Sequence, residues 1–185
     1  MRKFVCLMGL LLLASLNAAA QDNSKVDVFG GYSYLRYTPV SGTSVTNFNG
    51  GVGSISYNMN GWIGVVGEVA GYHNGSVNGS IVSANVVTYL FGPKVFVNAG
   101  KVTPFAQVLF GGAHASASDS GASASENAFA ATLGGGLDWN ASRHIAVRFG
   151  QVEYLLTTFN NSGFNGSGSG HQNGFRYSTG IVFRL

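Results

Sequence analysis

Three carboxylates, Glu68, Asp138 and Glu153, and four cations, Lys94, Arg148, Arg176 and Arg184, stand within otherwise apolar or glycine-rich stretches of this chain. Charges drawn out of water must find partners, because an unpaired buried charge is strongly destabilising. Pairs of this kind can brace an interior or act as a switchable latch across a narrow passage. Other residues offer less. His73, His114, His144 and His171 do not sit at metal-ligand spacing, and no carboxylate pattern accompanies them. Ser116 and Ser118 after His114, and Ser169 before His171, bring hydroxyls near an imidazole, but no acid is placed to orient a base. The run Gly134-Gly135-Gly136 and the glycine-rich tract 163–170 lack both the Lys-Ser/Thr ending of a phosphate loop and a GxGxxG opening a helix. No cofactor is implied. Asn-x-Ser/Thr triplets such as Asn78-Gly79-Ser80 carry no weight in a chain this rich in Asn and Ser.

The element that must position Arg176 and Arg184 is legible at the C-terminus. Phe175, Tyr177, Thr179, Ile181, Phe183 and Leu185 alternate with Arg176, Ser178, Gly180, Val182 and Arg184. Successive strand residues point to opposite sides, so Asn173 to Leu185 reads as a strand with one oily face and one small or basic face. Lipid accommodates the oily face if the polar face turns into a barrel lumen.

Bulk composition agrees. Residues 1–20 read as a secretory signal peptide, with Arg2 and Lys3, an apolar stretch from Phe4 to Leu16, and Ala18-Ala19-Ala20 before Gln21. That stretch is shorter than the roughly 20 apolar residues of a spanning helix. The only cysteine, Cys6, leaves with it, so the mature chain holds no disulfide or thiolate metal site. Without Arg2 and Lys3 the net charge of +3 falls to +1, which removes the electrostatic footing for nucleic-acid binding. Charged residues make up 9% of the chain, against about 25% in ordinary soluble domains. Glycine supplies 28 of 185 residues, which disfavours helices and suits bent, coiled strands.

Seven further strands precede the last. They run from about Val26 to Tyr37, Phe48 to Asn58, Trp62 to His73, Asn85 to Val97, Thr103 to Ala115, Ala128 to Trp139 and His144 to Phe159. The connections after the second, fourth and sixth are about four residues long. Longer ones, 38–47, 74–84, 116–127 and 160–172, are rich in Gly, Ser and Asn. Short turns on one side and long loops on the other, with an even strand count, describe an all-β, eight-stranded antiparallel up-and-down transmembrane barrel. A soluble eight-stranded barrel would carry its charges outside instead.

Alternation then sorts the side chains. Val87, Tyr89 and Phe91, or Phe129, Leu133 and Leu137, face out; Val26, Val28, Tyr32 and Tyr34 are assigned outward in the first strand. The seventh strand changes parity between Phe149 and Val152, which calls for a bulge near Phe149-Gly150. All seven charges named above fall inside. Glu68 and Glu153 opposite Arg148 and Arg176 are the expected pairs, filling with Gln107 a lumen just wide enough for side chains. A gate for a small pore is the alternative. Trp62 and Trp139 fall at the short-turn ends of their strands, where an aromatic girdle meets the headgroups.

The segments Val28-Phe-Gly-Gly-Tyr-Ser-Tyr34, Tyr89-Leu-Phe-Gly-Pro-Lys94, Pro104-Phe-Ala-Gln107, Gly134-Gly-Gly-Leu-Asp138 and Asn173-Gly-Phe-Arg176, in this order, resemble the small outer-membrane β-barrel family related to OmpA and OmpX. The resemblance covers the mature chain. It implies a monomeric barrel in the outer membrane, surrounded by lipid and inserted by the barrel-assembly machinery, with Tyr177, Phe183 and Leu185 as the C-terminal assembly signal. Leu185 stands where the family usually ends in Phe. The chain ends at the barrel, so a peptidoglycan-binding domain is not expected. A structural or surface-interaction role through the external loops, with an unknown partner, is the leading expectation. The alternatives are a small gated pore and, as in some small barrels, an enzyme acting on membrane lipid; the leading reading is non-enzymatic.

Overall fold

The computed structural model describes residues 24–38, 46–74, 83–119, 122–159 and 170–185; the expected signal peptide, 1–20, lies outside them. The strands are β1 (Val26–Thr38), β2 (Thr46–Asn58), β3 (Ile63–Asn74), β4 (Ser83–Phe96), β5 (Val102–Asp119), β6 (Ala122–Asn140), β7 (Ile145–Phe159) and β8 (Gly170–Arg184). Each pairs antiparallel with its neighbours in sequence, and β8 returns to β1 to close the barrel. Closure leaves no edge along the wall, so every backbone group there can be satisfied without water.

The two chain ends and the three short turns share one end of the barrel. Leu185 N donates to Val26 O at 2.8 Å, Asn58 N to Lys25 O at 2.8 Å, and Arg184 N to His144 O at 2.9 Å. In the β4–β5 turn Ala99 N donates to Val102 O, and Gly100 takes φ of 73°, a region that glycine enters without steric cost.

Burial alternates along the strands. Asp27, Phe29, Ser33 and Leu35 on β1 are buried, while Val26, Val28, Tyr32 and Tyr34 face out as read from the sequence. Ile55, Val69, Phe91, Leu133, Phe149 and Phe183 project from the wall with half or more of their surface exposed. In water this band would be untenable, and in hydrocarbon it is the solvent-facing surface. Inside, apolar and polar side chains share the space. Leu35, Val66, Ala70, Leu90, Leu109, Leu155 and Val182 are buried beside Glu68, Gln107, Gln151, Glu153 and Arg176.

The β1–β8 closure depends on glycine at an inward-facing pair. Gly31 and Gly180 are direct partners. A Cβ on Gly31 would stand 2.1 Å from Thr179 O, and one on Gly180 would stand 2.3 Å from Gly30 O. Backbone crowds both positions, so a side chain there would push the seam apart.

β7 carries the bulge its sequence calls for. Arg148 pairs with Gly180 and Gln151 with Ser178, so Phe149 and Gly150 together oppose Thr179. The irregularity is stapled by side chains: Tyr177 OH donates to Phe149 O at 2.7 Å, and Thr179 Oγ1 to Arg148 O at 2.8 Å. Inward parity therefore continues from Arg148 to Gln151, Glu153 and Leu155.

One expected loop is mostly strand. Residues 116–127 continue β5 to Asp119 and restart β6 at Ala122, with Ser118 opposite Ser123 and Asp119 opposite Ala122. Small residues made the segment look like a loop, yet its one turn signal is Ser120-Gly121, and Ala and Ser sit as readily in a ladder as in a loop. Likewise Gly170 to Gln172 belong to β8.

Candidate functional site in the lumen

Register decides which interior charges meet. β7 and β8 set Glu153 directly beside Arg176, and β6 and β7 set Asp138 beside Arg148. Arg176 Nε donates to Glu153 Oε2 at 2.7 Å, and its Nη2 also contacts that oxygen. The same Nη2 lies 2.5 Å from Glu68 Oε1, reaching across to β3. One guanidinium thus serves two carboxylates, and it is 1% exposed. Gln107 Nε2 donates to the second Glu153 oxygen at 2.9 Å.

Below this trio, toward the short turns, Arg148 forms a fork on Asp138, with Nε to Oδ1 at 2.7 Å and Nη2 to Oδ2 at 3.1 Å. Its plane lies between two rings, 4.2 Å from the Phe29 centroid and 4.3 Å from that of Phe105. A delocalised guanidinium suits both the bidentate acceptor and the ring faces, and a lysine would meet neither geometry. Arg148 Nη1 also donates to Gln151 Oε1 at 2.6 Å, and Gln151 Nε2 reaches Glu68 Oε2 at 3.5 Å. The two charge groups are therefore joined by one buried glutamine. A third pair, Lys94 Nζ to Asp27 Oδ2 at 3.3 Å, sits nearer the mouth.

This arrangement revises the expected pairing. Arg176 takes both glutamates, and Arg148 pairs with Asp138 instead of Glu68 or Glu153. The reason is the bulge, which keeps Arg148 in line with Asp138 while Glu153 moves up beside Arg176. Sequence reasoning passed over Asp27, Gln151 and Tyr72. Asp27 had a signal, since it shares the inward parity of Phe29 and Leu35; Gln151 required the bulge to be placed to the residue. Tyr72 OH and Ser178 Oγ both bond Ser33 Oγ, at 3.0 and 2.9 Å, extending the polar layer to β1, β3 and β8.

Apolar groups close the column on the loop side. Leu35 and Leu155 flank Gly174, where an added Cβ would stand 3.2 and 3.6 Å from them. Both are 2% exposed, and each is one inward step nearer the loops than Ser33 and Glu153 respectively. Among the described residues the side chain of Arg184, the outermost lumen cation, reaches only Thr103 Oγ1, at 3.4 Å.

The remaining sequence candidates lie apart from this column. Trp62 is exposed in the turn before β3; Trp139 is exposed on β6, its ring 6.1 Å from that of Phe149. Tyr177, Phe183 and Leu185 all project from the outer wall of the closing strand. His73 Nδ1 pairs with Asn85 Oδ1 and His114 Nδ1 with Asn127 Oδ1, each at 2.8 Å, on separate strand pairs near the loop end. Among the described residues no three His, Cys, Asp or Glu side chains gather as a metal site. The His171 side chain lies outside the description.

A closed eight-stranded wall with an apolar exterior and its charges paired inside defines an integral outer-membrane β-barrel. The chain belongs to the outer membrane protein beta-barrel domain family, whose model matches residues 6–184, and the protein resides in the outer membrane. Among solved structures it is similar to Ail, the attachment invasion locus protein of Yersinia pestis, at 19% identity and TM-score 0.62, covering 88% of this chain and 99% of that one. It is also similar to Neisserial surface protein A, at 10% identity and TM-score 0.64, covering 89% and 100%. The outer membrane protein OprG of Pseudomonas aeruginosa matches at 13% identity and TM-score 0.56, covering 88% and 96%. No curated protein matches the chain. At these identities the likeness speaks for the fold.

Proposed function

We propose that this barrel is a structural, non-enzymatic outer-membrane protein that engages another surface through its loop-side end. The observation that carries this reading is the β5–β6 hairpin. At 18 and 19 residues these are the longest strands of the barrel. β5 accompanies β6 all the way to Ala122, whereas β7 joins it only from Phe129, opposite Thr158. Among the described residues the hairpin is thus the longest paired arm at the loop-side end of the barrel. A strand arm of this length can present backbone and side-chain groups to an incoming extended chain. Its β6 side over 122–128, Ala-Ser-Ala-Ser-Glu-Asn-Ala, carries neither Lys nor Pro, the residues that usually block strand addition. The name of Ail, attachment invasion locus protein, is consistent with a role of this class.

The buried charge column is read as internal bracing. Arg176, Glu153 and Gln151 are each at most 1% exposed and Leu35 and Leu155 cover them, a packing that favours a filled lumen over a gated pore. Tyr177, Phe183 and Leu185 are proposed as the strand that the assembly machinery reads, Trp62 and Trp139 as headgroup-level anchors, and the working form as a monomer.

The test is binding of the barrel, held in lipid nanodiscs, to intact cells and to matrix-coated surfaces. Proline placed at Ser123 and, separately, at Ala124 removes one N–H each, one of the two pointing away from β5. One substitution should abolish binding while the barrel stays folded. Equal binding by wild type and both variants would remove the hairpin from the account.

A further inference from the structure

The short-turn mouth of the barrel contains a cavity of about 50 Å³, with Asp27, Lys94, Asp138, Arg143 and Arg184 among its lining residues. Its two carboxylates are already committed. Asp27 accepts from Ser24 Oγ at 2.6 Å, Asn58 Nδ2 at 3.0 Å and Lys94 Nζ at 3.3 Å. Asp138 is held on both oxygens by Arg148. Two cations are left over. Among the described residues the Arg184 side chain donates only to the Thr103 hydroxyl, at 3.4 Å, and its Nε is buried without an acceptor. Arg143, in the exposed turn before β7, has no carboxylate within ion-pair distance among the described residues.

A buried N–H without an acceptor is destabilising, and a guanidinium presents its donors in a fixed fork that matches the oxygens of a carboxylate or phosphate. The cavity holds three cations, counting Lys94, against two carboxylates, so the local field also favours an anion. Its size suits a compact group of a few heavy atoms.

We propose that this mouth is a binding site for a small oxyanion, a carboxylate or phosphate group presented from the periplasmic side. Arg184 supplies the fork, Arg143 a second charge from the rim, and Thr103 a neighbouring hydroxyl. The site lies at the opposite end from the tip of the β5–β6 hairpin and is independent of the role proposed for it.

The test uses the isotope-labelled mature barrel in detergent micelles, titrated with inorganic phosphate and, separately, acetate at constant ionic strength. The backbone amide resonances of Asn98, Thr103 and Arg184 are followed. A saturable shift, with a dissociation constant on the order of 1 mM, is expected with at least one of the two. Phosphate alone would point to a phosphate source, and acetate alone to a carboxylate. Arg184→Gln should weaken binding at least about tenfold. Arg143→Gln, in an exposed turn whose loss does not threaten folding, should weaken it by a smaller factor, and Arg36→Gln at the far end should leave it unchanged. The proposal is overturned if neither anion gives a saturable shift, or if both Arg184→Gln and Arg143→Gln bind as wild type. It is equally overturned if Asp22→Asn raises affinity about tenfold, since the chain's own carboxylate would then be the occupant.

Discussion

Replacing Arg176 by methionine should be among the most damaging single changes in the barrel. The guanidinium is 1% exposed and serves Glu68 and Glu153 together, through Nε and Nη2. Its removal leaves two carboxylates facing one another in a compartment that Leu35 and Leu155 seal from the loop side. Breaking one partner of a buried ion pair costs about 3–5 kcal/mol. With two carboxylates orphaned, the expected loss lies at the upper end of that range. The assay is urea unfolding of the barrel refolded into lipid vesicles, followed by the fluorescence of Trp62 and Trp139. The triple variant Glu68→Gln, Arg176→Met, Glu153→Gln removes every charge of the trio, and should recover most of the loss, because apolar or neutral replacement of a whole buried ion group is often close to neutral. An Arg176→Met barrel within about 1 kcal/mol of wild type, the size of an ordinary substitution, would refute the bracing role.

Gly31→Val should block closure at the β1–β8 seam, seen as loss of the heat-modifiable compact band on a denaturing gel, whereas Gly67→Ala, which meets nothing within 4 Å, should fold normally. Leu133→Arg places a charge on the lipid face, where the cost near the membrane midplane is about 2–4 kcal/mol in the same urea assay. Planar-bilayer recordings should show no discrete conductance for wild type, Glu68→Gln or Arg148→Gln; steady channels in any of them would restore the pore reading. Arg148→Lys should lose stability by about 1–3 kcal/mol despite keeping the charge, since a lysine cannot form the fork on Asp138 or lie flat between Phe29 and Phe105.

Much of this was legible before any coordinates. The alternation of Phe175 to Leu185 sets which side of β8 meets lipid, and the parity break after Phe149 located the bulge. Both are one-dimensional facts, because side-chain direction in a strand has period two. The segment 116–127 was misread because Ala and Ser carry little signal for either strand or loop. Its strand character comes from pairing between β5 and β6, which no local window contains.

By itself, then, the sequence determined the strand count, the face of each clearly alternating segment, the membrane as solvent, and most of the charges that share the lumen, Asp27 excepted. It could not determine which charge meets which. That choice between Arg148–Asp138 and Arg148–Glu153 depends on interstrand register, on the residue absorbed at Phe149-Gly150, and on the reach of Arg176 across the lumen to β3. The same holds for the surplus of Arg184 and Arg143 at the mouth. Strand direction is a local property of the backbone, but distances across a closed barrel exist only once eight strands have staggered and joined.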